Sequence, residues 1–177
     1  MTQMTIRAAK VIDARGIAEV HIAAWQTAYR GLLPERILKD LSVSESETRW
    51  RQRLGETTTQ TFVAEQEGQV VGFVTCGRSR DHDANKARVG EIYAFYVGPT
   101  VWRQGHGRRL CSRALAALQA RGFAEVTLWV LRNNRQAIKF YRAVGFTADG
   151  VIKTERWRGG VEIQQTRYRQ VLRKGNV

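Results

Sequence analysis

Glu91-Ile92-Tyr93-Ala94-Phe95-Tyr96-Val97 is an apolar, aromatic run broken by one carboxylate, and it leads through Pro99 into Trp102-Arg103-Gln104-Gly105-His106-Gly107-Arg108-Arg109. A β-prone run, a glycine loop and a helix in that order can bind phosphate. The first amides of a helix lack intrahelical acceptors and sit at the positive end of its dipole, while glycines let an anion reach the backbone. Gly-x-Gly alone carries little weight, because glycines before a helix are often only a connection. A dinucleotide fingerprint needs a third glycine at a fixed offset, and here Arg108 and Leu110 follow Gly107. A Walker loop would end in Gly-Lys-Ser/Thr, which this loop does not supply. A pyrophosphate outside those two classes fits the pattern.

The elements around this loop follow from periodicity. Residues 5–10 read as a first strand, and Asp13 as the N-cap of a helix carrying Ile17, Val20, Ala24 and Ala28 at helical spacing. Gly31 and Pro34 precede a second helical stretch, and a third spans residues 44–54 with Trp50. Residues 61–65 and 70–77 are β-prone and joined by Gln66-Glu67-Gly68-Gln69, a hairpin-like connection. Residues 78–88 are polar and charged, hence a loop, and 89–97 form a strand. A helix over 105–120, a buried strand over 126–131 and a helix over 134–144 stopped by Gly145 come next. Strands over 146–157 and 161–172 meet at Arg158-Gly159-Gly160. The expected fold is a mixed α/β single domain over residues 1–177.

Composition agrees with an ordinary globular chain: 177 residues, 43% hydrophobic and 25% charged. The net charge of +13 makes an anionic partner plausible without choosing one. Basic residues are dispersed, with a mild concentration at Arg167, Arg169, Arg173 and Lys174, and no block reads as a nucleic-acid arm. Cys76 and Cys111 lack metal-ligand spacing and read as packing residues in a reducing compartment. No apolar run has the length of a membrane span, so a cytoplasmic location is expected.

A second block, Asn134-Arg135-Gln136-Ala137-Ile138-Lys139-Phe140-Tyr141-Arg142-Ala143-Val144-Gly145-Phe146, follows the glycine loop. Together the two blocks resemble the acetyl-CoA-binding motif and the Asn-x-x-Ala-x-x-Phe-Tyr-x-x-x-Gly-Phe signature of GNAT N-acetyltransferases. The strong resemblance covers residues 91–146. It implies the GNAT fold: a mostly antiparallel mixed sheet of about seven strands, flanked by helices and splayed at the acetyl-CoA site. It further implies that Phe95, Tyr96 and Val97 offer backbone groups to pantetheine and to the thioester oxygen. Arg103, Gln104, Gly105, His106, Gly107 and Arg108 form the pyrophosphate loop, and Asn134 lies near the pantetheine arm. Trp102 departs from the pattern, which often has Arg or Gln there, so Arg103 and Arg108 are the side chains expected to help hold phosphate. Arg109 and Arg113 read as solvated charge.

Acetyl transfer to an amine needs a deprotonated nucleophile, a stabilised oxyanion and a proton for the departing thiolate. Tyr141 is the expected general acid: helical spacing alone would make it a core aromatic, and the resemblance points it at the coenzyme sulfur. Glu91 is the candidate base, since a carboxylate in an apolar strand is solvated, paired or functional. An ion pair with an arginine such as Arg88 is the alternative for Glu91, and bound water the alternative base. Trp25 and Tyr29, and less so Trp50, are acceptor-site candidates in helical positions where aromatics are more often core. His21, His82 and His106 have no visible partners, so no metal is expected. The expected activity is direct acetyl transfer to a small-molecule amine, with a protein or peptide amine as the alternative. A catalytically silent, basic nucleic-acid-binding domain is the remote one. The expected partners are acetyl-CoA and the amine, with no membrane and no nucleic acid, and the resemblance makes a homodimer plausible.

Overall fold

The computed structural model describes residues 4–157 and 160–172. Arg158, Gly159, Arg173 and Lys174 therefore lie outside the described residues. In chain order the elements are β1 (Met4–Ala8), α1 (Ala14–Ala28), α2 (Glu35–Lys39), α3 (Val43–Leu54), β2 (Thr59–Gln66), β3 (Gln69–Arg78) and β4 (Val89–Val97). They continue with α4 (His106–Ala120), β5 (Glu125–Leu131), α5 (Arg135–Ala143), β6 (Thr147–Arg156) and β7 (Glu162–Val171). The seven strands form one sheet in the order β1-β2-β3-β4-β5-β7-β6. Every neighbouring pair is antiparallel except β4 and β5.

Alternation along the strands buries both faces of the sheet. On one face, Leu110, Ala114 and Leu118 of α4 and Tyr141 of α5 pack on Phe62, Val74, Ile92, Val126 and Leu128. On the other, Ile17 and Val20 of α1 and Trp50 of α3 cover Val63 and Phe73. Each such fully buried Leu or Phe contributes roughly 1.5–3 kcal/mol. A third cluster joins Tyr29, Leu33 and Leu38 to Leu131 and Ile163, fastening the chain after α1 to the ends of β5 and β7.

Asp13 departs from its expected role. Its backbone is helical and its side chain caps nothing in α1. The carboxylate instead accepts the Lys10 N–H (2.7 Å) and two bonds from Arg7 (2.7 and 2.9 Å), so it ties β1 to the start of α1. Arg113 also differs from a freely solvated charge, because its guanidinium lies over the Phe62 ring at 4.3 Å. Arg167 and Arg169 are likewise spent on carboxylates and do not form a basic patch. Among the described residues no helix is long and apolar enough to cross a membrane.

Candidate active site

The site is built where β4 and β5 part. Their parallel pairing runs from Val89↔Glu125 to Ile92↔Leu128 and then stops, although β4 continues to Val97 and β5 to Leu131. A bulge precedes the split: Thr75 faces Ala94 and Cys76 faces Ile92, leaving Tyr93 as the extra residue of β4. Bulges of this kind increase local twist and bend the strand that carries them.

Register decides which backbone groups face the gap. The Gly98 N–H donates to Val71 O (2.8 Å), and the ladder continues through Phe73↔Tyr96 and Thr75↔Ala94. In an antiparallel ladder alternate residues turn their N–H and C=O toward the same neighbour. The backbone of Ala94 and Tyr96 is therefore used by β3, while that of Phe95 and Val97 turns toward the gap. Tyr96, expected to offer backbone groups, faces β3 with them and contributes its phenol on the α1 side. Trp102 donates its indole N–H to Val97 O (2.7 Å), which explains what this residue does at its unusual position. The Val97 N–H and both backbone groups of Phe95 remain for a ligand lying in the gap.

The glycine loop ends in the expected helix terminus. Gly105 has φ 89°, in the left-handed region that glycine enters without strain, and Arg103 also has a positive φ of 64°. The first intrahelical bond of α4 runs from the Arg109 N–H to Gly105 O (3.1 Å), so the amides of His106, Gly107 and Arg108 have no acceptor within the helix. Gly107 is needed for a different reason. A Cβ there would sit 3.2 Å from the Phe140 ring, which stacks on Phe95 with centroids 5.3 Å apart. Arg103, Gln104 and Arg108 are exposed around the loop. The imidazole of His106 is buried and pairs with Gln66 Oε1 through Nε2 (2.8 Å), which ties the start of α4 to the end of β2.

Tyr141 is buried on α5 within ring contact of Phe95, Phe140 and Phe146. Burial, reinforced by the Tyr96 phenol, pushes its hydroxyl well above the ordinary tyrosine range, so it stays protonated at physiological pH. Tyr29 and Tyr96 shift the same way, and their phenols are close enough to raise or lower each other. The three phenols, Tyr29 just after α1, Tyr96 on β4 and Tyr141 on α5, thus lie close enough to act on one another. Asn134 caps α5, its side-chain oxygen accepting the Ala137 N–H (3.1 Å). Burial holds Cys76 at about 11 and Cys111 at about 12, which leaves both thiols protonated and poor nucleophiles.

Glu91 is 2% exposed and ion-paired. Its partner is Arg80: Oε2 accepts the Arg80 backbone N–H (2.8 Å), and Oε1 accepts from the guanidinium (2.6 and 3.2 Å). Arg88, the partner expected from sequence, uses its carbonyl to hold the Ala124 N–H at 2.8 Å. The Arg80 guanidinium also lies 4.2 Å over the Tyr93 ring. To take a proton, Glu91 would have to give up a charge-assisted bond.

On the α1 side a cavity of about 300 Å³ is lined by His21, Ile22, Trp25, Ile37, Leu41, Ser42, Ser46, Arg49 and Trp157. Trp25 stacks on Trp157 at 5.0 Å, and His21 lies 4.9 Å from the Tyr96 ring, so the cavity adjoins the splayed part of β4. Trp25 lines it as expected. Tyr29 is buried beside it in the third cluster, and Trp50 is core. Sequence reasoning missed Trp157, Arg80 and Arg49. Ser42, Ser46 and Arg49 share one helical face at i, i+4 and i+7, a detectable signal, whereas the Trp25–Trp157 pair joins residues too distant in sequence to leave one.

His21 yields a pH prediction. Burial, then Arg53 and Arg49, lower it from 6.5 to about 4 in the folded protein. Between those values the unfolded chain binds a proton that the native one refuses, so stability falls as pH falls, by up to roughly 3 kcal/mol. Urea midpoints should drop from pH 7 to pH 4.5, and His21→Phe should flatten part of that slope. An equal slope in both proteins would remove His21 as a cause.

A seven-stranded sheet that splays beside a glycine-capped helix is the architecture implied by the GNAT resemblance, and comparison with known proteins agrees. The family model Acetyltransferase (GNAT) family matches residues 22–146, and the chain belongs to that family. It is 36% identical over 141 residues to YuaI, an uncharacterized N-acetyltransferase of Bacillus subtilis, covering 79% of this chain and 78% of that one. A GCN5-related N-acetyltransferase structure from Rhodopseudomonas palustris superposes with a TM-score of 0.76 at 21% identity, over 97% of this chain and 98% of that one. PaiA N-acetyltransferase from Thermoplasma acidophilum, in complex with coenzyme A, gives 0.71 at 20% identity over 96% and 99%. The chain is a GNAT N-acetyltransferase.

Proposed function

We propose that this chain transfers acetyl from acetyl-CoA directly to a primary amine of a small molecule held beside it. The observation that carries the reading is the juxtaposition of three features: the acceptor-free amides of α4, the open edge of β4 at Phe95 and Val97, and a cavity adjoining Tyr96. Acetyl-CoA suits the first two, with pyrophosphate at His106, Gly107 and Arg108, and pantetheine along the gap. The coenzyme A held by the PaiA structure supports this assignment. Arg103 and Arg108 add positive charge around the phosphates.

The Val97 N–H is the group we assign to negative charge growing on the carbonyl oxygen. Tyr141 gives its proton to the departing sulfur; burial that weakens this acid also strengthens a thiolate in the same dry site, so the transfer remains matched. The proton of the incoming ammonium leaves to water, because Glu91 is held in its ion pair with Arg80. Glu91→Gln should therefore slow transfer by less than about tenfold and keep the rising limb of the pH–rate profile. Loss of that limb would return the role of base to Glu91. A compact cavity with aromatic walls favours a small molecule over a protein segment. The two buried, unpaired thiols support the expected reducing, cytoplasmic setting. Thiol release from acetyl-CoA across a panel of small amines and lysine-containing peptides tests the reading. Saturable release with a small amine is expected, and release with peptides alone would move the acceptor class.

A further inference from the structure

The lining of the cavity beside Tyr96 is chemically one-sided. Arg49 is its only fully charged side chain, and no carboxylate lines it. Its polar groups add hydrogen-bond donors: Ser46 is 4% exposed on the same wall as Arg49, and the buried Trp25 indole N–H faces the Tyr96 phenol. The rest of the lining is apolar, through Ile22, Ile37, Leu41 and the stacked indoles.

Arg49 has a competing contact in Glu45, 3.7 Å away and four residues earlier on α3. That distance exceeds a hydrogen bond, and both side chains are about half exposed, at 48% and 62%. Such pairs are worth a few tenths of a kcal/mol and exchange readily. His21 lines the same cavity, and burial first, then the charges of Arg53 and Arg49, lower its proton affinity.

An amine acceptor arrives as a cation and gains nothing from such a lining by its amine end. Electrostatic complementarity requires that the acceptor bring a negative group of its own. We infer that the cavity selects amines that also carry a carboxylate, the acid binding Arg49 beside Ser42 and Ser46 while an apolar body rests on the Trp25–Trp157 wall. The amine then lies toward the phenols of Tyr29 and Tyr96, beside the splayed strand. Polyamines and other polycations are disfavoured by the same charge. This assignment of acceptor class rests on the proposed transfer to a small amine, and it is tested separately from that transfer.

The test is quenching of tryptophan fluorescence, which Trp25 and Trp157 report from the cavity wall. The acetyl-CoA-saturated protein is titrated with 3-phenylpropionate and with its neutral partner 3-phenylpropionamide, neither of which has an amine. Wild-type protein should bind the acid at least about tenfold more tightly, since a hydrogen bond to a charged group is worth about 1.5–3 kcal/mol. Arg49→Ala should bring the two affinities within about twofold, and Arg49→Lys should keep part of the preference. Equal affinities in the wild type, no saturable binding of the acid, or an unchanged ratio in Arg49→Ala would each overturn the inference. Thiol release with phenylalanine and with phenethylamine is run beside it. Failure of release with all amines while the acid still binds through Arg49 would fault the transfer reading and leave this one standing.

Discussion

Tyr141→Phe is expected to lower kcat for acetyl transfer by about 10²–10³-fold while changing acetyl-CoA affinity by less than about twofold. The substitution removes one oxygen. The ring contacts with Phe95, Phe140 and Phe146 hold the aromatic ring, so a phenylalanine keeps the packing of α5 against β4. The hydroxyl sits where its only ordinary fate is to remain protonated, since burial raises it well above the usual tyrosine range. A group that never ionises in the resting enzyme serves as a donor and not as a base. The defect should shrink as the leaving thiol becomes more acidic, because a better leaving group needs less help. Lost acetyl-CoA binding with normal chemistry in the bound fraction would show instead that the phenol matters for packing or affinity.

Arg167→Leu is expected to cost about 3–5 kcal/mol of stability, the cost of stranding buried charge by removing its partner. Arg167 is 3% exposed on β7 and meets Asp81 (3.2 Å), Asp83 (2.7 and 2.8 Å) and Asp149 (2.7 Å). Asp81 in turn accepts the Trp129 indole N–H (2.9 Å). One guanidinium thereby joins the loop after β3 to β6 and β7. Without it three carboxylates face one another, and the loop that carries Arg80 over Glu91 loses its anchor. For a chain of this length the thermal midpoint should fall by on the order of 10 °C. Asp83→Asn makes a useful contrast, because that side chain is 59% exposed and its pair is screened by solvent. It should cost about 1 kcal/mol or less. Comparable losses in both variants would mean that the exposed Asp83 pair carries the effect and that the buried contacts to Asp81 and Asp149 add little.

Much of this architecture was legible in the sequence because the local signals agree with each other. Alternation located the strands, Gly145 marked a helix end, and the hairpin at Glu67-Gly68 adopts positive φ at both residues. The glycine loop could be placed before a helix from Gly105 and Gly107 alone, and its two glycines turn out to serve different purposes: backbone conformation at 105, close packing at 107. What the chain did not disclose is carried by contacts between distant residues. Glu91 was recognisable as a buried carboxylate in need of a partner, but the identity of Arg80 depends on how the loop folds back over β4. The direction of each backbone amide in β4 depends on the Tyr93 bulge, and no composition rule marks that residue as the extra one. Asp13 shows the same limit, since a good capping residue was drawn to Arg7 by tertiary proximity.

Calorimetric titration of the purified protein with acetyl-CoA and with CoA tests the central claim most directly. Saturable binding of both, close to one equivalent per chain, is the predicted result, because the α4 amides and the open edge of β4 recognise the phosphates and pantetheine arm that the two molecules share. Binding of neither would contradict the account, leaving a GNAT fold whose splayed strands and glycine loop serve some ligand other than the coenzyme.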